Sequence, residues 1–317
     1  MKLSIITINR NNAAGLRKTM KSVFSQTYRD FEYIVVDGAS TDESVEVIRA
    51  SALQAEGLDY KWISEPDTGI YNAMNKGIEI ALGRRIVNPF NRSELVEDKH
   101  GEADRPKQSG VENKDAEKGY VLMLNSGDYL VDEHVVERVI PELDGSDIVQ
   151  GNTIEEREGR VYRNKGYGRS EISIYDVMEG VFLHQASFCQ VQLFEKYGYF
   201  DETYTIAADT KFFTICLGVH NASFSYINID ITNYDCNGIS AATSGPWNKK
   251  HWEEFVRLRR EMFSPRLEYY LQYNEPKVQI YNKLHEYKWI WNMTMLLMRI
   301  HDWLYGSRKN ISIEEIK

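Results

Sequence analysis

Apolar positions along the first half of the chain alternate between two periods. Leu3 to Ile8 is an unbroken apolar, β-rich run closed by the polar cluster Asn9-Arg10-Asn11-Asn12. Ala13 to Gln26 changes to helical spacing, with Leu16, Met20, Val23 and Phe24 on one face. Phe31 to Val36 returns to a β-branched run and ends at Asp37-Gly38. Thr41-Asp42-Glu43-Ser44 is a capping cluster ahead of Val45, Ile48 and Leu53. Tyr60 to Ile63 is a third strand, Ile70 to Leu82 a helix carrying Met74, Ile78 and Leu82, and Tyr120 to Leu124 a fourth strand. Beyond it the pattern predicts a helix over Glu133 to Leu143, a strand over Asp147 to Gly151 and a polar hairpin reaching Arg163. A helix from Val191, another opened by Ala207-Ala208-Asp209, and a strand over Ala222 to Ile229 follow. From Pro246 the pattern is helical.

Strands alternating with helices imply an α/β fold with a mostly parallel sheet flanked by helices. Such sheets bind ligands beyond the carboxyl ends of their strands. Here polar segments follow those ends: Asn9 to Asn12, Asp37, Glu65 to Asp67, and Asp128. Asp is common at strand exits and helix caps for purely structural reasons, but several acidic segments at one sheet edge suit a cation-dependent site. Residues 84–118 break the pattern. Sixteen of these 35 residues are charged and few are apolar, which reads as an exposed, mobile insertion.

Composition narrows the function. The chain has 317 residues, 42% of them hydrophobic, enough for one large domain plus an extension. The expected division is a sheet domain over 1–245 and a helical extension over 246–317. The formal charge of −9 argues against nucleic acid as a partner. Cys189, Cys216 and Cys236 form no C-x-x-C, so neither a disulfide framework nor a zinc site is expected. No stretch is long and apolar enough for a membrane span, and the six apolar residues near the N-terminus are too few for a signal peptide. The expected location is the cytoplasm, with the inner face of the cytoplasmic membrane as the variant. The sequence carries no G-x-G-x-x-G, P-loop, H-E-x-x-H or G-x-S-x-G.

Ser22-Val23-Phe24-Ser25-Gln26-Thr27-Tyr28, then Phe31 through Asp37-Gly38-Ala39-Ser40-Thr41-Asp42, form one distinctive series. Glu65-Pro66-Asp67-Thr68-Gly69-Ile70-Tyr71-Asn72-Ala73-Met74-Asn75-Lys76-Gly77 is a second, and Leu124 through Asp128 with Gly198-Tyr199-Phe200-Asp201 and Ala208-Asp209 a third. In this order, over about residues 3 to 240, they resemble glycosyltransferase family 2, whose members have the Rossmann-like GT-A fold. The second series is similar to a subgroup that builds bacterial capsular, exopolysaccharide and lipopolysaccharide glycans. The resemblance implies an inverting transfer from a nucleoside-diphosphate sugar, a UDP-sugar first, to a hydroxyl of a glycan or lipid-linked acceptor, assisted by Mn²⁺ or Mg²⁺.

The same resemblance implies roles. Asp128 is the expected metal ligand, in a motif where Asn125 and Gly127 replace the family's further carboxylates. His184 is a second expected metal or diphosphate contact, its competing reading a structural histidine ahead of an apolar strand. Asp209 is the expected general base, its competing reading a helix cap. Asp37 is the expected nucleobase contact, with Thr7 lining the same pocket and Asp67 contacting the nucleoside or shaping its loop. Asn75 is an expected donor to ribose or diphosphate, or else a helix residue facing the sheet edge. Asn9, Gly127 and Ser240, the last in a Gly-Ile-Ser loop, complete the donor set. The thinned metal motif keeps a second class open, a catalytically inactive sugar-nucleotide binder or scaffold. A nucleotidyltransferase would want a glycine- and lysine-rich phosphate loop that Asn9 to Leu16 does not supply.

The tail has its own signature. Five of the six Trp lie at or beyond Trp247, and on a helix Lys288, Asn292, Arg299 and Asp302 leave only a narrow polar arc. Such a helix docks on its own domain, pairs with a second subunit, or lies in a membrane interface.

Overall fold

A computed structural model describes residues 2–51, 55, 57–85, 87, 119–157, 160–179, 182–236 and 245–264, with scattered positions between 287 and 300. Nearly all of the 84–118 insertion, and Ser240, lie outside the described residues. The chain groups into two compact units, Met1–Leu258 and Arg259–Lys317, and every residue discussed for the site belongs to the first.

Strands β1 (Lys2–Asn9), β2 (Glu32–Asp37), β3 (Asp59–Ser64) and β4 (Gly119–Met123) run parallel in the order β3-β2-β1-β4. The sheet continues through β8 (Ser187–Gln190), β6 (Ile148–Arg157), β9 (Phe224–Tyr234) and β5 (Tyr129–Leu130), with β7 (Arg160–Asn164) paired to β6. Strands β5, β7 and β8 oppose their neighbours; the other six run one way, as the α/β reading expects. Strands β1 and β2 are buried almost throughout, which is why their sequences are continuous apolar runs rather than alternating ones.

The helices are α1 (Ala13–Phe24), α2 (Ser44–Ser51), α3 (Ile70–Ala81), α4 (Val135–Val139), α5 (Ile174–Glu179), α6 (Gln192–Tyr197), α7 (Ala208–Phe213, continuing as a π-helical turn to Val219) and α8 (Gly245–Met262). Helix α1 starts where Asn12 Oδ1 accepts the Gly15 N–H at 3.1 Å, and it buries Leu16, Met20, Val23 and Phe24. Its face packs with Leu3, Ile5 and Tyr33 of the sheet in one apolar core.

Helix α3 crosses the other face of β1 at close quarters. A Cβ added at Gly77 would stand 2.4 Å from Ile6 Cγ2, in the fully buried centre of the sheet. Gly77→Ala gains helix propensity of up to ~1 kcal/mol, yet overpacking costs ~1–3 kcal/mol. The expected net result is a lower urea midpoint with an unchanged m-value.

The order β3-β2-β1-β4 decides where a ligand can sit. From β1 the chain proceeds to β2 on one side, while β4 pairs on the other. The connections therefore leave a crevice beyond the carboxyl ends of β1 and β4. Those ends carry Asn9 to Asn12 and Asn125 to Asp128.

Candidate active site

A cleft of about 480 Å³ occupies that crevice. Asn9, Arg10 and Asn12 line it from the end of β1, Asp67, Gly69, Ile70 and Ala73 from the start of α3, and Asn125, Ser126 and Asp128 from the loop after β4. His184, Tyr234 and Asp235 close its far side.

The loop after β4 is built around one hydroxyl. Thr19 of α1 is fully buried; its Oγ1 donates to the Asp128 carbonyl at 2.6 Å and accepts the Gly127 N–H at 3.0 Å. Gly127 has φ of +114°, and a Cβ there would meet Asp235 Oδ2 at 2.9 Å, so the turn that aims Asp128 requires glycine. Asp128 Oδ1 accepts the Asp235 N–H at 2.8 Å. Burial pushes the Asp128 carboxyl up to about 6, against that hydrogen bond and the charge of His184.

His184 and Asp209 lie 25 positions apart in sequence and meet in space. His184 Nδ1 is 2.9 Å from Asp209 Oδ2, and its Nε2 is 3.3 Å from Asn125 Nδ2. Asp209 Oδ1 accepts the Thr210 N–H at 2.8 Å and lies 3.1 Å from Tyr71 Oη. Burial opposes both charges. The His184–Asp209 hydrogen bond and attraction outweigh it, holding His184 above the ordinary imidazole value and Asp209 below the ordinary carboxylate value. Asp209 is thus ionised at neutral pH. His184, expected beside a metal, lines the cleft with Nδ1 on Asp209 and Nε2 toward Asn125.

A divalent cation has a partial fit here. Asp128 is the carboxylate of the loop, and Asn9 Oδ1 and Asn125 Oδ1 are buried oxygens without a hydrogen-bond partner among the described residues. These are hard oxygen donors of the kind Mg²⁺ and Mn²⁺ prefer. Among the described residues, no group of three His, Cys, Asp or Glu could hold a metal alone. The set suits an ion shared with substrate phosphates, not an all-protein cage.

Three other expected contacts stand back from the cleft. Thr7 is fully buried beneath it and takes a hydrogen bond from Tyr33 Oη at 3.1 Å. Asn75 spends both N–H groups on the Phe200 carbonyl and Glu202, each at 2.9 Å, and its oxygen on the Phe200 N–H at 3.0 Å; no donor is left for ribose or phosphate. Asp37 is fully buried and accepts four hydrogen bonds, from Asn9 Nδ2, Ser40 Oγ, Ser40 N and Ser64 Oγ at 2.6–2.9 Å. All its lone-pair positions are taken, so it organises the pocket through Asn9 and Ser40. Asp67 remains on the wall, where its Oδ1 accepts the Gly69 N–H at 3.0 Å and pairs with Arg10 at 3.4 Å. Gly38 makes room for it, since a Cβ there would fall 2.1 Å from Asp67 Oδ2.

Thr19 and Tyr71 were not singled out from the sequence. Thr19 had a signal, a polar residue on the inward face of α1 between Leu16 and Met20. Tyr71 lay inside a quoted motif with nothing to mark its hydroxyl.

A family model described as "Glycosyl transferase family 2" matches residues 4–88, which hold β1 to α3 and the cleft wall formed by Asn9, Arg10, Asn12, Asp67 and Gly69. An uncharacterized glycosyltransferase of Mycobacterium tuberculosis is 30% identical over 213 residues, covering 66% of this chain and 66% of that protein. The chain belongs to glycosyltransferase family 2. It spans about two thirds of that relative's length. Residues 1–349 of TarS from S. aureus, solved in complex with UDP-GlcNAc, share its fold, with a TM-score of 0.55 at 16% identity over 83% of this chain and 65% of that one. A mannosyltransferase from Pyrobaculum calidifontis, solved with GDP-Man and Mn²⁺, gives a TM-score of 0.51 at 14% identity over 80% and 64%. These likenesses place the family 2 chain in the GT-A fold that its motifs implied.

Among the described residues no helix is long and apolar enough to cross a membrane. In the second unit Trp289, Met293, Leu296, Leu297 and Ile300 are exposed.

Proposed function

We propose that the chain transfers a sugar, with inversion, from a nucleoside-diphosphate sugar to an acceptor hydroxyl in bacterial surface polysaccharide biosynthesis, with a UDP-sugar as first choice of donor. The observation that carries this reading is the pairing of Asp209 with His184 across a cleft from Asp128, at the carboxyl edge of a family 2 sheet. TarS in its UDP-GlcNAc complex supports the choice of nucleotide.

Inverting transfer needs one proton removed as one bond is exchanged for another. Asp209 takes the acceptor hydroxyl proton while that oxygen bonds to the anomeric carbon, and the bond from carbon to phosphate oxygen breaks with its electron pair leaving on the nucleoside diphosphate. The depressed pKa of Asp209 keeps it unprotonated and ready. His184 and Tyr71 fix the carboxylate's orientation from two sides. Asp67, Arg10 and Asn9 form the wall available to the nucleoside. Asp128, with the oxygens of Asn9 and Asn125, would hold Mn²⁺ or Mg²⁺, which when bound supplies positive charge to the departing diphosphate.

A thermal-shift panel of UDP-, GDP-, CDP- and dTDP-sugars with Mn²⁺ tests the reading, followed by detection of free nucleotide. The expected result is a selective shift with one nucleotide and slow hydrolysis of its sugar. Absence of both shift and turnover across the panel would sink it; a shift without turnover would return the inactive-binder reading.

A further inference from the structure

Glu254 of α8 is only 3% exposed, and its carboxylate is filled by three consecutive backbone N–H groups. Thr205 N donates to Oε1 at 2.8 Å; Ile206 N and Ala207 N donate to Oε2 at 2.8 and 3.1 Å. These three residues are the last before α7, the helix that begins with Ala208-Asp209. Buried amides left unpaired are costly, and a charged acceptor satisfies them more strongly than a neutral one. Burial opposes the charge on Glu254, but the three N–H bonds hold its carboxyl below the ordinary range.

The same segment is held from its opposite side. Tyr71 Oη bonds the Ile206 carbonyl and also lies 3.1 Å from Asp209 Oδ1. Arg257, one turn beyond Glu254, donates to Thr203 Oγ1 at 2.9 Å and places its guanidinium 4.1 Å over the Tyr204 ring. The N–H groups of residues 205–207 are therefore fixed by α8, and the Ile206 carbonyl by Tyr71.

We propose that Glu254 is a positioning residue for sugar transfer: by setting peptides 205–207 it keeps the Asp209 carboxylate against His184 and the acceptor hydroxyl. Helix α8, which lies beyond every motif read from the sequence, is then part of the reaction machinery and not an appendage. This inference rests on the reading of Asp209 as the base.

Glu254→Gln tests it in the full chain. The amide keeps one carbonyl acceptor and turns an N–H₂ toward the remaining backbone donors. The expected result is a fall in kcat of roughly tenfold to a hundredfold, as misplacement of a reacting group by about 1 Å brings, with donor KM within about twofold. The acid limb of kcat should move to higher pH, because a loosened Asp209 loses part of the His184 contact that holds its pKa down. Glu254→Asp keeps the charge and should recover part of kcat; if the Gln variant does not fold, the Asp variant carries the same readouts against wild type. A merely structural role lowers the melting temperature but leaves kcat per donor-binding site and its acid limb unmoved, and that outcome overturns the proposal. Failure of the underlying reading looks different: then wild type turns over no sugar nucleotide, or Asp209→Asn stays active.

Discussion

Asp209→Asn is expected to lower kcat by roughly 10²–10⁴-fold, the worth of a positioned general base, and to leave donor affinity unchanged. The substitution is close to isosteric. Its carbonyl oxygen can still accept the Thr210 N–H that Oδ1 accepts now, and the amide group faces His184 Nδ1, where a neutral imidazole can accept. The fold should survive with a loss of about 1.5–3 kcal/mol, the worth of a hydrogen bond between charged groups. That loss has a defined pH dependence. The folded pKa of Asp209 is depressed, so its contribution is present above the unfolded carboxylate value and fades as pH falls through the folded one. The folded pKa of His184 is raised, so its contribution is complete below the unfolded imidazole value and fades as pH rises through the folded one. The melting-temperature gap between wild type and mutant should therefore be widest between the unfolded carboxylate and imidazole values, about pH 4 to 6.5, and narrow toward both extremes. A gap that is flat with pH would mean the pair is not ionic. A mutant retaining a tenth or more of wild-type kcat would remove Asp209 from the chemistry.

The parts of this machinery written locally in the chain were legible, and those written between distant residues were not. Strands β1 and β2 and helices α1 and α3 follow from runs and helical spacing, and their bounds shift by only one or two residues. Strand β6 was read as five residues and extends to Arg157. Its Gln150, Asn152, Thr153 and Glu155 are polar yet buried; Gln150, Asn152 and Glu155 each bond a neighbouring strand, and Thr153 bonds Glu155. Two-residue β5 exists only by pairing with β9, a hundred positions later. The site divides the same way. Polar residues at strand ends pointed to Asp128, Asp67 and Asn9, because in a parallel sheet such ends meet at one edge; Asp209, at the start of a helix, came from the family resemblance. Which polar atom faces the cleft depends on partners that spacing does not reveal. Asn75 turned to Phe200, Thr7 to Tyr33, and His184 Nδ1 to Asp209. Glu254 carried no signal at all, since a Glu on a polar helix usually faces water.

Asp128→Asn is expected to separate activity from stability in opposite directions. Asp128 is an acid whose folded pKa is raised to about 6, mainly by burial. The folded state then holds its proton more tightly than the unfolded state does, so stability falls as pH rises from the unfolded value through about 6. A rise of about two pH units corresponds to ~3 kcal/mol of penalty at neutral pH, when no cation is present. An amide carries no such penalty, and its carbonyl oxygen can keep the 2.8 Å bond from Asp235 N. Without added metal, the variant should melt above wild type at pH 7.5, and the two should converge near pH 4. Activity should move the other way. Loss of the one carboxylate on the Asn125–Asp128 loop is expected to abolish the Mn²⁺-induced thermal shift and to lower turnover by on the order of a hundredfold or more, in line with the several kcal/mol a Lewis acid supplies. A variant less stable than wild type at every pH would mean that the Asp128 charge is compensated within the fold. A variant that keeps both the Mn²⁺ shift and wild-type turnover would leave this chain's sugar transfer independent of the loop that Thr19 and Gly127 so closely shape.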